Sequence, residues 1–161
     1  MITVAMATLV GASRARVWRA LTDPREVAGW DENVIAAVDA PADYPKPGQY
    51  VRWRARLHGL PVILHDRPIE VIVGERLRAE ISIGLFRCEE TYGLADDPTT
   101  PGRTRLTMKV VVPNAVPVVG GMLDRFSVRQ YATNLVSGSL DAIRAWCERR
   151  PSDPARPGST S

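Results

Sequence analysis

The sequence is poor in the residues that most metal, redox and export devices need. It has two histidines and two cysteines in 161 residues. His58 and His65 stand seven apart, and no second thiol lies near Cys88, so no ligand set has metal-site spacing and neither a metal nor another cofactor is expected. Cys88 and Cys147 are expected to be free thiols, because an intracellular chain with a good core seldom keeps a disulfide. The longest apolar runs, at residues 110–112 and 116–119, are broken by proline or polar residues well short of the about 20 residues of a membrane span. The opening ITVAMATLV carries no basic leader and no small-residue cleavage site after a continuous apolar stretch, so it does not read as a signal peptide and a cytoplasmic location is the expectation. Nor is there a block of one charge. The net charge of +3 and pI near 9.2 come from scattered arginines, so nucleic acid is not an expected partner. A homodimer stays open.

What is present suits one domain with a sizeable core. The chain is 45% hydrophobic, and its length is too short for two domains of ordinary size. That domain is placed at residues 1–150, and the Pro/Ser/Gly-rich residues 151–161 read as a disordered tail. Residues 2–9 alternate loosely and form a first strand. Ser13 offers a helix cap before Val17, Trp18 and Leu21 at helical spacing, and Asp23-Pro24 stops that turn and starts another, giving short helices at 13–22 and 24–29. Period-two stretches follow at 34–38, 49–57, 62–73, 77–83, 85–94 and 104–112. They are separated by turn residues such as His58-Gly59, Gly74-Glu75 and Gly84, so hairpins and an antiparallel sheet are expected. Residues 117–150 carry Met122, Phe126, Leu135, Leu140, Ile143 and Trp146 near helical spacing, which is one long helix. The fold class is therefore α+β, with seven strands wrapped around a long C-terminal helix that must bury its stripe on the sheet. Small residues on that helix, Gly120, Gly121, Ser137 and Gly138, leave room for a ligand-sized hollow.

This order of elements, together with VWRALTDPREVAGW at residues 17–30 and the strand pair at Glu90-Thr91-Tyr92-Gly93-Leu94 and Thr104-Arg105-Leu106-Thr107, resembles the START-like (SRPBCC) superfamily. The resemblance covers roughly residues 2–150, and its markers belong to the helix-grip fold rather than to catalysis. In length and in its plain C-terminal helix the chain looks most like the polyketide cyclase/dehydrase and lipid-transport-like branch. Such a resemblance implies a hydrophobic or polyaromatic small-molecule ligand, and in some members the cyclisation and dehydration of polyketide chains. No catalytic residue is transferred by it.

Alternation assigns faces to the strands. Inward sets are Val51, Trp53, Ala55 and Leu57; Ile63, His65, Arg67, Ile69 and Val71; Leu77, Ala79, Ile81 and Ile83; Phe86, Cys88, Glu90, Tyr92 and Leu94; and Leu106, Met108 and Val110. Arg52, Arg54 and Arg56 then form a basic outer row, and Asp66, Pro68 and Glu70 face outward. On this reading the ligand-binding wall is Trp30, Trp53, Ile63, Ile69, Phe86, Cys88, Met108, Met122 and Phe126. The polar members are His65, Arg67, Glu90 and Tyr92. These are the candidate catalytic residues, since a cavity that orients a polyketone needs donors near carbonyl oxygens and a base near an acidic methylene.

Blander readings stand beside these. Arg67 and Glu90 can be a buried ion pair that holds the sheet together, His65 a rim residue, Tyr92 a wall residue and Trp30 a packing anchor. Cys88, with no histidine fixed beside it, reads as a small buried hydrophobe rather than a nucleophile. Three functions therefore compete. The chain can be a cofactor-independent cyclase/dehydrase-like enzyme, a non-catalytic carrier that sequesters its ligand, or an interaction module that works through its outer surface.

Overall fold

The structure is a computed structural model that describes residues 1–113 and 125–149. Alternating Val, Thr and Ala put residues 2–10 in strand β1 (Ile2–Val10), and a short turn leads to helix α1 (Arg14–Thr22). Ser13 caps that helix by accepting from the Arg16 N–H at 3.2 Å. Asp23 ends α1 and caps α2 (Pro24–Trp30), where Pro24 occupies the first turn, in which its missing N–H costs nothing. Six further strands follow: β2 (Val34–Ala37), β3 (Val51–Leu57), β4 (Leu60–Ile72), β5 (Arg76–Ile83), β6 (Phe86–Asp96) and β7 (Thr104–Val112).

All neighbours pair antiparallel, in the order β1-β7-β6-β5-β4-β3-β2. The last described element is α3 (Arg125–Glu148). The architecture is the helix-grip arrangement expected from the sequence, with boundaries shifted by a few residues. The expected helix start, with Gly120, Gly121 and Met122, lies outside the described residues, as do the Phe126 side chain and the expected tail at 151–161.

Helix α3 packs on the β1 and β7 side of the sheet and touches α1 and α2. Its buried stripe is Val128, Ala132, Val136, Leu140, Ile143 and Cys147, spaced as one helical face requires. The stripe meets Val10, Leu106, Val110 and Val112, all at most 2% exposed. One polar contact ties the helix end to the turn after β1, where Glu148 accepts from the Gly11 N–H at 2.7 Å, and the same turn is tied to β7 by the Thr104 hydroxyl, which donates to the Ala12 carbonyl at 2.7 Å. At the other side of α3, Trp146 lies so close to Gly29 that a Cβ there would sit 2.4 Å from the indole. The Trp146 N–H donates to Glu26, which also pairs with Arg16 and Arg19. These contacts tie α1, α2 and α3 into one layer. Because that layer rests on β1 and β7, α2 packs on β2 and α1 on β6, and a hollow is left between these helices and the inner face of β3 to β6.

Candidate functional site

The site follows from strand register. In β3 the inward residues Val51, Trp53 and Ala55 are buried and Arg52, Arg54 and Arg56 are exposed, as alternation requires. His58 and Gly59 form the β3–β4 turn with φ of 50° and 80°, the positive values that a two-residue I′ hairpin demands. Leu57 thus faces Leu60, and counting outward pairs Trp53 with Leu64 and Val51 with Asp66. Asp66, Leu64 and Val62 therefore share the inner face with Trp53.

This reverses the phase expected for the first part of β4. Ile63 and Ile69 are exposed on the outer face, at 43% and 39%. His65 is also outside, where its Nδ1 lies 2.6 Å from the Tyr50 hydroxyl. Arg67 pairs with Glu80 at 2.8 Å, also on the outer face, so the expected Arg67–Glu90 pair does not form. The phase was ambiguous because β4 carries isoleucines on one face and Val62 and Leu64 on the other. A bulge then admits Ile69 as an extra residue between Pro68 and Glu70, and Val71 returns to the inner side opposite Leu77.

The remaining strands keep their expected faces. Glu90 pairs with Ala79, Tyr92 with Leu77 and Cys88 with Ile81. Between this wall and α2 lies a cavity of about 100 Å³. Its apolar lining comes from Leu21 and Val27 on the helices, Val34 on β2, and Leu64, Leu77, Ala79 and Ile81 on the sheet. Trp30, Tyr44, Trp53 and Tyr92 add aromatic surface, and three carboxyls, Asp31, Asp66 and Glu90, face the same space. None of the residues found lining it carries a basic side chain.

Of the expected wall, Trp30, Trp53, Glu90 and Tyr92 line this cavity. Met108 and Cys88 are buried in the core beneath the sheet's inner face, and Phe86 packs against that core. The Cys88 thiol is pushed far up by burial and then by Glu90, which leaves it inert at neutral pH. The sequence reading missed Tyr44, Asp31 and Asp66. Tyr44 and Asp31 sit in irregular chain, where no periodicity reports a face, whereas the His58-Gly59 turn held the signal for Asp66.

The polar groups of the cavity are unevenly satisfied. Asp66 is 5% exposed, and its Oδ2 accepts from the Tyr44 hydroxyl at 2.8 Å and from the Trp53 indole N–H at 3.2 Å. Its Oδ1 has no partner among the described residues. Burial raises the Asp66 pKa, against those two hydrogen bonds. Burial also raises Asp31, whose carboxylate accepts from the Asn33 N–H at 2.9 Å. Glu90 has neither ion pair nor hydrogen bond among the described residues. Burial, then the charges of Asp66 and Asp31, push it up to about 8, and the Tyr92 hydroxyl is held well above its usual value by burial and by Glu90. A carboxyl so placed is a neutral acid below about pH 8, able to donate a hydrogen bond to a group that enters the cavity. A carboxyl titrating this near pH 7 can give or take a proton, which is what general acid–base work requires. No group of three or more described His, Cys, Asp or Glu side chains is arranged to hold a metal ion.

A second space of about 260 Å³ lies between residues 30–33 and the α3 residues Asn134, Leu135, Gly138, Ser139 and Ala142. It shares Trp30 and Asp31 with the cavity, so these two residues border both spaces. The Trp30 N–H donates to the Ala20 carbonyl at 2.8 Å, which holds the ring in place. Gly138, read from sequence as a small residue beside a hollow, lies on this second space, and Ser137 is exposed. No described helix is long and apolar enough to cross a membrane.

Known structures share the fold. A START superfamily protein from Mycobacterium smegmatis superposes with a TM-score of 0.72 at 15% identity, over 91% of this chain and 97% of that one. A protein from Thermus thermophilus gives 0.69 at 20% identity, over 91% and 97%. An aromatase/cyclase from a Streptomyces species gives 0.66 at 18% identity, over 92% and 94%. At these identities the likeness speaks for the fold alone. Among curated proteins the sequence finds no significant match. A family model does match, over residues 1–148, a stretch that holds every described strand and helix, and on that ground the chain belongs to the polyketide cyclase/dehydrase and lipid transport family.

Proposed function

We propose that this chain binds a hydrophobic small molecule between α2 and the inner face of β3 to β6. The observation that carries the reading is the composition of that wall. Seven aliphatic and four aromatic residues surround a few convergent polar groups, the pattern of a site that grips an apolar body and orients it by one polar end. The family and the aromatase/cyclase of similar fold support the same class of ligand.

Size sets a condition on this reading. The cavity of about 100 Å³ is smaller than the roughly 150 Å³ that accepts benzene in an engineered protein core. Joined with the neighbouring 260 Å³ space, it enters the range of about 300–1,000 Å³ usual for small-molecule sites. A ligand of that size would therefore need Trp30 and Asp31, which border both spaces, to shift. Native mass spectrometry of the protein purified without denaturant is expected to show a bound fraction heavier than the chain by one small molecule, released on acidification. Failure of any hydrophobic compound to co-purify or to be taken up from a panel of polyaromatic and acyl probes would overturn the reading and favour an outer-surface interaction role.

Turnover is a second reading, favoured by the placement of two carboxyls, Glu90 and Asp66, in the lining of one cavity, where burial pushes Glu90 up to about 8. In it Glu90 would hand a proton to a leaving hydroxyl while Asp66 draws one from a neighbouring carbon, the pairing a dehydration needs. His65 and Arg67 have no part in that chemistry, since both lie on the outer face.

A further inference from the structure

The polar end of the cavity has an unusual charge balance. Asp31, Asp66 and Glu90 face one space with Tyr44 and Tyr92, and no lysine, arginine or histidine is among the residues found lining it. Carboxyls gathered away from water without a cation normally cost stability, and proteins keep buried charges paired. Here the lining supplies no counterion. The Arg67 side chain that alternation placed beside Glu90 is on the other face, bound to Glu80.

A separate observation points to what is missing. Asp66 is more than nine-tenths buried and already accepts two hydrogen bonds on Oδ2, yet Oδ1 is left without a donor while the residue lines the cavity. An unsatisfied buried carboxylate oxygen is costly, so it marks the place where an external donor is wanted. The surrounding rings fit the same demand, because the faces of Trp30, Trp53, Tyr44 and Tyr92 carry the negative side of the aromatic quadrupole. An anionic ligand would meet carboxyls that repel it.

We infer that the ligand of this cavity carries a basic nitrogen on its apolar body, and that its ammonium group is held by Asp66 Oδ1 with Asp31 and Glu90 around it. The inference rests on the small-molecule-binding reading above and narrows it from any hydrophobic molecule to an amine. The ammonium N–H donates to the unpartnered oxygen, its charge balances the carboxyls, and the ring system fills the aromatic and aliphatic wall.

Three probes with one ring system and different ends test this: 1-naphthylmethylamine, 1-naphthalenemethanol and 1-naphthoate, titrated calorimetrically at pH 7. The amine is expected to bind about tenfold or more tighter than the alcohol, as a charge-assisted hydrogen bond would give, and the carboxylate more weakly than either. Asp66→Asn is expected to bring the amine down to the level of the alcohol while changing alcohol affinity by no more than about twofold. Should Asp66→Asn fail to fold, Glu90→Gln serves in its place and is expected to weaken the amine selectively. Amine binding is also expected to release a proton as Glu90 ionises beside the cation, seen as a heat that differs between phosphate and Tris buffers. Equal affinity of amine and alcohol, or loss of both in the Asn variant alike, overturns the amine inference and leaves the cavity reading standing. Failure of all three probes overturns both.

Discussion

Glu90→Gln is expected to make the protein more stable at pH 8, by about 2–4 kcal/mol, and to change it little near pH 5. The reason lies in where the Glu90 proton is held. In the folded chain burial and the charges of Asp66 and Asp31 raise its pKa to about 8, against an ordinary 4.5 when unfolded. Between those values the native state keeps a proton that the unfolded state has lost, so rising pH favours unfolding by up to about 1.4 kcal/mol per unit, and the loss levels off above pH 8. Glutamine resembles the protonated acid in shape and never ionises, so it removes this penalty. Asp31 and Asp66 are raised by burial in the same sense and keep part of the slope in the variant.

At the acid side the direction reverses. Glu89 and Asp39 are held below the usual carboxylate range by hydrogen bonds from Arg78 and Arg52, and the stability they confer is lost as pH falls through their folded values. The wild-type profile should therefore peak between about pH 4.5 and 6 and the variant's should stay flatter toward pH 8. Urea denaturation of both proteins across this range is the measurement. A loss of stability in Glu90→Gln at pH 8 would mean that Glu90 holds an essential hydrogen bond.

The second large effect is on binding. Ala79→Leu is expected to weaken a bound hydrophobic ligand by about 100-fold or more, which is roughly 3 kcal/mol, while leaving thermal stability unchanged or higher. Ala79 is buried on β5 directly opposite Glu90 and lines the cavity, so three added carbons would occupy space that the ligand needs. Filling a void adds apolar contact in the free protein, whereas overpacking a full core would cost about 1–3 kcal/mol. Opposite signs for affinity and stability therefore separate a real hollow from an ordinary packed core. Calorimetric melting and probe titration of the variant give the two numbers.

Much of this arrangement was legible in the sequence. Alternation alone placed Trp53, Ala79, Glu90 and Tyr92 on the inner face, because β3, β5 and β6 each carry a polar row opposite an apolar one. Strand β4 gave no such contrast. Ile63 and Ile69 compete there with Val62 and Leu64, and the choice rests on the His58-Gly59 turn, which transmits the phase of β3 across the hairpin. Counting from that turn places Asp66 opposite Val51. The bulge at Ile69 is beyond such counting, for although Pro68 in a central strand signals an interruption of the ladder, it does not say which residue is the extra one. Tyr44 and Asp31 were equally hidden, as each reaches the cavity from a segment without a repeating pattern. The expected Arg67–Glu90 pair failed for the same one-residue reason, and its failure is what leaves the carboxyls of the cavity without a built-in cation.

The central claim, that a small molecule occupies the space between α2 and the sheet, is tested most directly by the indole N–H signals of the four tryptophans in a ¹⁵N-labelled sample titrated with 1-naphthalenemethanol. Trp30 and Trp53 line the cavity, with their N–H groups on Ala20 and Asp66, while Trp146 donates to Glu26 outside it and Trp18 is not among the lining residues. The account predicts saturable shifts of the Trp30 and Trp53 signals with those of Trp18 and Trp146 nearly still. Shifts confined to Trp18 or Trp146, or no saturable shift at any of the four, would contradict it.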